Sequence, residues 1–211
     1  MSHYARIGSC LLLFALLSGC SSNVTRESPS GGIVSTSPSK TGSSSVPDRS
    51  PGSVTITYAL SHIPKTASNQ IAVWIEDMRG NYVRTLYATR FTASGGYKQR
   101  PEAIPLWIKT SDWENASKNE VDAVTGATQK PGIITLTWDC KNKDGQPVKP
   151  DKYVYVIEGN IYWNDRVVWR GEIEVGNEGD TSLAKAQYIP ETAKDSGILI
   201  ENVSAVFTPA K

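Results

Sequence analysis

The feature that most constrains the fold is an alternation of apolar and polar residues that recurs from position 54 onward. In VTITYAL (54–60), apolar side chains stand at every second position, as on one face of a β-strand. Six further segments, separated by turn-forming residues, have a similar strand character: IAVWIED (71–77), YVRTLYA (82–88), IITLTW (133–138), YVYVIEG (153–159), VVWRGEIEV (167–175) and ILIENVSAVF (198–207). No stretch of comparable length has a helical period, and 183–189 is expected to form a short turn. Seven or so short strands predict an all-β domain, an antiparallel β-sandwich over residues 53–211.

The longest interruption of this pattern runs from about 92 to 132. Irregular segments of this length in a compact domain are usually functional or mobile. The interruption contains Trp107 and Trp113, whose rings either stack on a flat ligand at the surface or anchor the loop as buried apolar groups. Trp138, at the end of a predicted strand, is expected to fill the core of the sandwich.

The N-terminus carries an export signal. A weakly basic head precedes an apolar run (10–17) that is too short to span a bilayer, as in a signal peptide. The sequence LSGC, which ends at Cys20, resembles the lipobox of bacterial lipoproteins. This resemblance implies a signal peptide over 1–19 and a diacylglycerol on the Cys20 thiol. The same resemblance implies, from the serine after the lipidated cysteine (Ser21), an anchor at the periplasmic face of the outer membrane in a Gram-negative cell. The alternative is an ordinary secretory signal with a chance cysteine.

Residues 20–52 are rich in Ser, Pro, Gly and Thr and contain almost no large apolar side chains. Such a segment cannot bury enough surface to fold, so we expect a disordered tether between the lipidated cysteine and the domain.

Composition narrows the possible functions. The chain has 22 basic and 21 acidic residues, a formal net charge of +1, which gives no electrostatic basis for binding nucleic acid. Membrane attachment would therefore depend on the lipid. The predicted domain has one histidine, His62, and one cysteine, Cys140, too few for a zinc site or a nucleophilic triad. We expect no metal site and no catalytic constellation, with Cys140 as a half-buried residue at a strand end.

The sequence DAVTGAT, which ends at Thr128, is the strongest candidate site. One alternative is a structural turn, in which Thr and Asp side chains bond neighbouring backbone amides. The other is an attachment point, where Gly126 and Ala127 let a bulky group and a modifying enzyme approach the backbone closely.

Two resemblances bear on this choice. The order VWIED (73–77), VRTL (83–86), DAVTGAT (122–128), PG (131–132) and LTWD (136–139) resembles a family of predicted periplasmic proteins of unknown function. Genes of that family tend to lie near those of PepSY-type membrane proteins and flavin transferases. The resemblance thus implies an extracytosolic redox setting, with these two proteins as partners.

The same heptapeptide resembles the acceptor motif of flavin transferases, Asp-x-x-Ser/Thr-Gly-Ala-Thr/Ser-x-Ser/Thr. That resemblance implies FMN joined to Thr128 by a phosphodiester bond. It implies a recognition frame made of Asp122, Thr125, Gly126 and Ala127. Lys130 stands where the acceptor pattern has Ser or Thr.

A third resemblance concerns the fold. The segment WDCKNKDGQPVKPDKYVYVIE (138–158) is similar to a hairpin of Ig-like modules such as the flagellar hook-cap Ig domain, although Cys140 and Asp151-Lys152 replace usual glycines. The expectation is therefore an Ig-like sandwich in an exported, lipid-anchored redox accessory protein that carries FMN and is not a self-contained enzyme. The alternative is a non-catalytic Ig-like binding or scaffolding lipoprotein of the cell envelope.

Overall fold

Two β-sheets build the domain in the computed structural model, which describes residues 49–126 and 128–211. The predicted signal peptide, Cys20, nearly all of the tether and Ala127 lie outside the described residues. The strands are β1 (Gly52–Leu60), β2 (Gln70–Asp77), β3 (Tyr82–Thr89), β4 (Thr125–Gly126), β5 (Gly132–Trp138), β6 (Asp151–Tyr162), β7 (Asp165–Val175), β8 (Asp180–Leu183), β9 (Lys185–Ile189) and β10 (Ile200–Pro209).

The first sheet has the order β5-β1-β10-β8 and the second β4-β3-β2-β6-β7-β9. Neighbouring strands pair antiparallel, except that the two-residue β4 runs parallel to β3. The seven predicted strands and the all-β sandwich are confirmed. The short turn expected over 183–189 is wrong, because β8 and β9 occupy most of that segment as edge strands with largely exposed, polar side chains.

The main core lies between the two sheets. Val54, Ile56 and Tyr58 are completely buried on one face of β1, as the alternation predicts. Trp138 is also completely buried, and its Nε1 donates a hydrogen bond to the Lys141 carbonyl at 2.8 Å. Fully burying an apolar side chain such as Val54 or Ile56 stabilises the fold by roughly 1.5–3 kcal/mol.

Cys140 is fully buried rather than half-buried as expected. It lies just after β5 in a left-handed backbone conformation, with φ of 53°. Burial raises the pKa of its thiol to about 12. The thiol therefore stays protonated and has no access to an intermolecular partner.

A second core covers the outer face of the second sheet. It includes Ala72 and Trp74 of β2 and Val156 of β6, all completely buried, and the covering residues come from the segment 90–124. That segment contains α1 (Arg90–Ala93), α2 (Pro105–Thr110) and α3 (Lys118–Val124), with 3-10 turns at Gly96–Lys98 and Trp113–Asn115. The region expected to be irregular therefore contains short helices and 3-10 turns that pack on the sheet.

Local signals explain why these helices form. Pro105 opens α2 at a position where a missing amide hydrogen costs nothing. Ser117 and Glu120 form a capping box that begins α3, with each side chain bonding the other residue's backbone amide. Helices of four, six and seven residues are too short to show a hydrophobic period in the sequence.

Glu158 of β6 fastens this helical cover to the sheet. Its carboxylate accepts hydrogen bonds from the amides of Trp107 at 2.9 Å and Leu106 at 3.3 Å, at the first turn of α2. These amides have no partner within their own helix. The Nε of Arg166 lies 3.4 Å from the same carboxylate. Because the side chain is completely buried, desolvation raises the pKa of Glu158 to about 7.

Within the described residues, none of the helices has the length and apolar character needed to cross a membrane.

We expect Glu158→Gln to change how stability depends on pH. A glutamate in the unfolded chain has a pKa of about 4.3. The native state binds the proton more tightly, with a pKa of about 7, so this group's contribution to stability is present below about 4.3 and lost as the pH rises to about 7. The glutamine side chain is neutral throughout. The free energy of unfolding of the variant, relative to the wild type, should therefore rise across that window.

Urea unfolding at several pH values between 4 and 8 measures this difference, at roughly 1.4 kcal/mol for each unit of pKa shift. If the free energies of unfolding of the two proteins changed in parallel with pH, the raised pKa of Glu158 would be contradicted.

Candidate functional site

The DAVTGAT segment lies where the helical cover returns to the sheet. Asp122 is exposed on α3, and the chain then enters β4, where Thr125 pairs with Ala88 and Gly126 with Thr89. Thr128 follows as an exposed residue outside any strand. The predicted frame is therefore divided between the end of a helix and a short strand.

Two contacts with buried tyrosines flank Thr128 in the sequence. On the N-terminal side, Gly126 lies so close to the buried ring of Tyr87 that an added Cβ would come within 2.6 Å of its Cε2 atom. On the C-terminal side, the hydroxyl of Tyr58 donates a hydrogen bond to Gln129 Oε1 at 2.6 Å. Burial raises the pKa of Tyr58, so this donor keeps its proton at any physiological pH. The Thr128 side chain is thus presented to solvent between two anchored neighbours.

A shallow cavity of about 50 Å³ opens beside Thr128. Its polar lining includes Ser61, His62, Asn69 and Thr89. Cavities that enclose cofactors or drug-sized ligands measure roughly 300–1,000 Å³. This cavity can therefore receive a small group beside Thr128 but not a three-ring flavin.

Trp107 and Trp113 do not present rings for stacking. They are 0% and 4% exposed, and their ring centroids lie 4.5 Å apart in the second core. Trp107 Nε1 donates to Thr85 Oγ1 and Trp113 Nε1 donates to the Ala93 carbonyl, both at 2.9 Å. Their placement matches the alternative in which they anchor the loop.

The exposed aromatic residues are elsewhere. Trp163 is 51% exposed and Tyr162 is 37% exposed, next to each other at the turn between β6 and β7. The sequence did not indicate this pair as a candidate site. The available signal was two aromatic residues directly before Asn164-Asp165, a polar pair typical of a turn.

The two candidate metal ligands of the predicted domain lie apart. His62 lies two residues after the end of β1. Cys140 lies two residues after Trp138, which pairs with Val54 near the beginning of that strand. Among the described residues, no group of three or more His, Cys, Asp and Glu side chains could hold a metal ion.

Gly126→Ala should loosen the Thr128 loop. The new methyl group would overlap the Tyr87 ring, and overpacking of this kind typically costs about 1–3 kcal/mol. Gly176→Ala is the matched control, because nothing lies within 4 Å of its added Cβ, and we expect a change within ~0.5 kcal/mol. Denaturant unfolding measures both, and hydrogen exchange should accelerate at 128–130 in the first variant only. Equal effects of the two substitutions would contradict the close contact with Tyr87.

One protein family matches the part of the chain that contains this site. No curated protein and no solved structure matches the chain. Residues 53–190, from β1 to the residue after β9, match the family described as "Predicted periplasmic protein (DUF2271)". The matched region includes the DAVTGAT segment and the helical cover that leads into it. The chain therefore belongs to this family of predicted periplasmic proteins, whose function is unknown.

Proposed function

We propose that this protein is a periplasmic electron carrier with FMN covalently attached to Thr128. The supporting observation is the exposed Thr128 side chain, held between the Gly126–Tyr87 contact and the Gln129–Tyr58 hydrogen bond. A modifying enzyme needs an accessible hydroxyl in a defined place, and this loop offers one. The resemblance of the heptapeptide to flavin-transferase acceptors supplies the identity of the attached group.

The attachment is a phosphoryl transfer from FAD, carried out by a separate flavin transferase. The Thr128 hydroxyl oxygen bonds to the phosphorus of the FMN half of FAD. The bond between that phosphorus and the bridging oxygen breaks, and AMP leaves with the oxygen. The hydroxyl proton passes to a base of the transferase. No electrons are transferred in this step.

The small cavity beside Thr128 favours a covalent link over simple binding. At about 50 Å³ it cannot enclose the isoalloxazine ring, so the described surface near Thr128 offers no enclosed pocket to retain a free flavin outside the cytoplasm. A phosphodiester bond keeps the cofactor in place without a pocket. The Lys130 ammonium, two residues further on and exposed, is a cation suited to the negative charge of that phosphodiester.

The chain's own contribution in this function is positioning. Attached FMN supplies one- and two-electron transfer, while the sandwich holds it at a fixed place on the surface where a partner can approach. A lipid on Cys20 would hold the domain at the periplasmic face of the outer membrane. The flavin transferase and a PepSY-type membrane redox protein are the partners that we propose.

A second candidate is a non-catalytic binding or scaffolding lipoprotein. One observation favours it: a groove of about 440 Å³ on the helical cover, lined by Tyr97, Pro101, Pro105 and Ile108 among others. In this function the protein is colourless and contacts a partner through the segment 90–124.

Thr128→Ala should abolish FMN attachment during co-expression with a flavin transferase, whereas Thr128→Ser should retain it, because only the second keeps a hydroxyl. Thr135→Ala, at another exposed threonine, is the control and should remain fully modified. Intact-protein and peptide mass spectrometry measure the modification. Since Thr128 is exposed, the alanine variant should unfold within ~0.5 kcal/mol of the wild type. A wild-type Thr128 peptide without FMN would overturn the proposal.

Lys130→Ser should increase the initial rate of FMN incorporation when the transferase is limiting. The substitution places a hydroxyl where the acceptor pattern has one. Lys130→Ala removes the same charge without adding a hydroxyl and should not accelerate the reaction. If both variants accelerate the reaction equally, position 130 acts through its charge. If neither does, the acceptor pattern does not extend to this position.

A further inference from the structure

The exposed aromatic pair Tyr162-Trp163 lies at the same end of the sandwich as Thr128. β3 ends there at Thr89, β6 ends there at Tyr162, and β2 begins there at Gln70. The loops that connect these strands therefore share one end of the second sheet.

A row of paired residues across the sheet relates the two sites. Gly126 of β4 pairs with Thr89 of β3, the Thr89 hydroxyl bonds the backbone of Ile71 in β2, and Ile71 pairs with Gly159 of β6. The row crosses three strand spacings, roughly 14 Å. Thr128 lies two residues beyond this row on one side, and Tyr162-Trp163 lies three to four residues beyond it on the other.

The loop between β1 and β2 occupies the surface between the two sites. Its His62 and Asn69 line the cavity beside Thr128. At its other side, the Asn69 amide donates to the Asn160 carbonyl at 2.8 Å, and the Trp163 amide donates to the Ala67 carbonyl at 3.0 Å. The surface from Thr128 to Trp163 is thus formed by residues in successive contact.

The exposure and the backbone conformation of Trp163 are both unfavourable, which is unusual for a residue with a purely structural role. Half of its side chain is exposed, and its φ of 44° lies in the left-handed region that bulky residues avoid. Cations flank the pair: the Arg100 guanidinium lies 5.9 Å from the Trp163 ring centroid, and Lys65 Nζ lies 5.0 Å from that of Tyr162. An exposed, fixed indole beside positive charge is suited to a flat, electron-poor ring that becomes negative on reduction.

We propose that Trp163, together with Tyr162, is the platform on which the isoalloxazine ring of Thr128-linked FMN stacks. This inference rests on the proposed function. The phosphate and the ribityl chain lie over the loop between β1 and β2, and the ring reaches the β6–β7 turn. Stacking on an indole shortens the excited-state lifetime of a flavin, because the indole donates an electron to it and recovers that electron afterwards.

The test compares flavin fluorescence in FMN-loaded proteins. Trp163→Ala should raise the fluorescence per bound FMN by roughly threefold or more, because the strength of aromatic pairing corresponds to a stacked population several times the unstacked one. Tyr162→Ala leaves the indole in place and should stay nearer to the wild type than Trp163→Ala does. Phe91→Ala removes another exposed aromatic residue, on α1, and should leave the fluorescence unchanged.

Mass spectrometry of each protein separates the two proposals. Absence of FMN from Thr128 in the wild type means that the proposed function fails. FMN present in equal amount, with unchanged fluorescence in Trp163→Ala, overturns the stacking platform and leaves the proposed function standing. An increase in flavin fluorescence in Phe91→Ala instead would also overturn the stacking platform, because the isoalloxazine ring would then lie against α1.

Discussion

Burial of β2 on both faces is the constraint on which the rest of the structure depends. Its inner residues join the core between the sheets, and its outer residues, with Trp74 at the centre, need a cover of their own. The segment 90–124 provides that cover and then returns to the sheet edge as β4. The position of Thr128 is a consequence, because the chain reaches it directly after pairing with β3. A loosely packed cover would leave this loop without a fixed starting point.

Buried charge sets how the cover sits on the sheet. Glu158 bonds the first turn of α2, and Glu76, 3% exposed, accepts hydrogen bonds from Trp74 Nε1 and from Arg170 Nη1, each at 2.7 Å. Such groups cost desolvation energy, and replacing one partner leaves the other unpaired. An apolar contact would tolerate several orientations of α2, whereas the two bonds from Glu158 specify one. The Glu76 bonds join β2 to β7 within the sheet beneath the cover. We infer that Glu158 contributes more to the register of the cover than to its net stability.

The sequence predicts the parts of this fold that repeat. Strands with one buried face, such as β1, show the alternation clearly, and β2 shows a continuous apolar run. β8 and β9 were missed because they lie at sheet edges with polar residues, and the helices because each spans at most seven residues. An acceptor role for DAVTGAT is implied by resemblance alone, because no periodic pattern in the sequence indicates it. The burial of Trp107 and the exposure of Trp163 depend on which loop covers which face, and no local pattern encodes that.

The chain enters β1 at one end of the sandwich, whereas Thr128 lies at the other end. This separation would set the distance between a membrane anchor and the flavin of an electron carrier. Residues 49–52 enter β1 at one end, and the nine residues of this strand extend for about 30 Å to the end where Thr128 and the aromatic turn lie. With a lipid on Cys20, the anchor would lead into the first end and the flavin would lie at the second. A short rigid link would then fix the flavin at one distance from the membrane. If residues 20–52 form the tether that their Ser- and Pro-rich composition predicts, one flavin would instead reach donors and acceptors at different heights above the membrane.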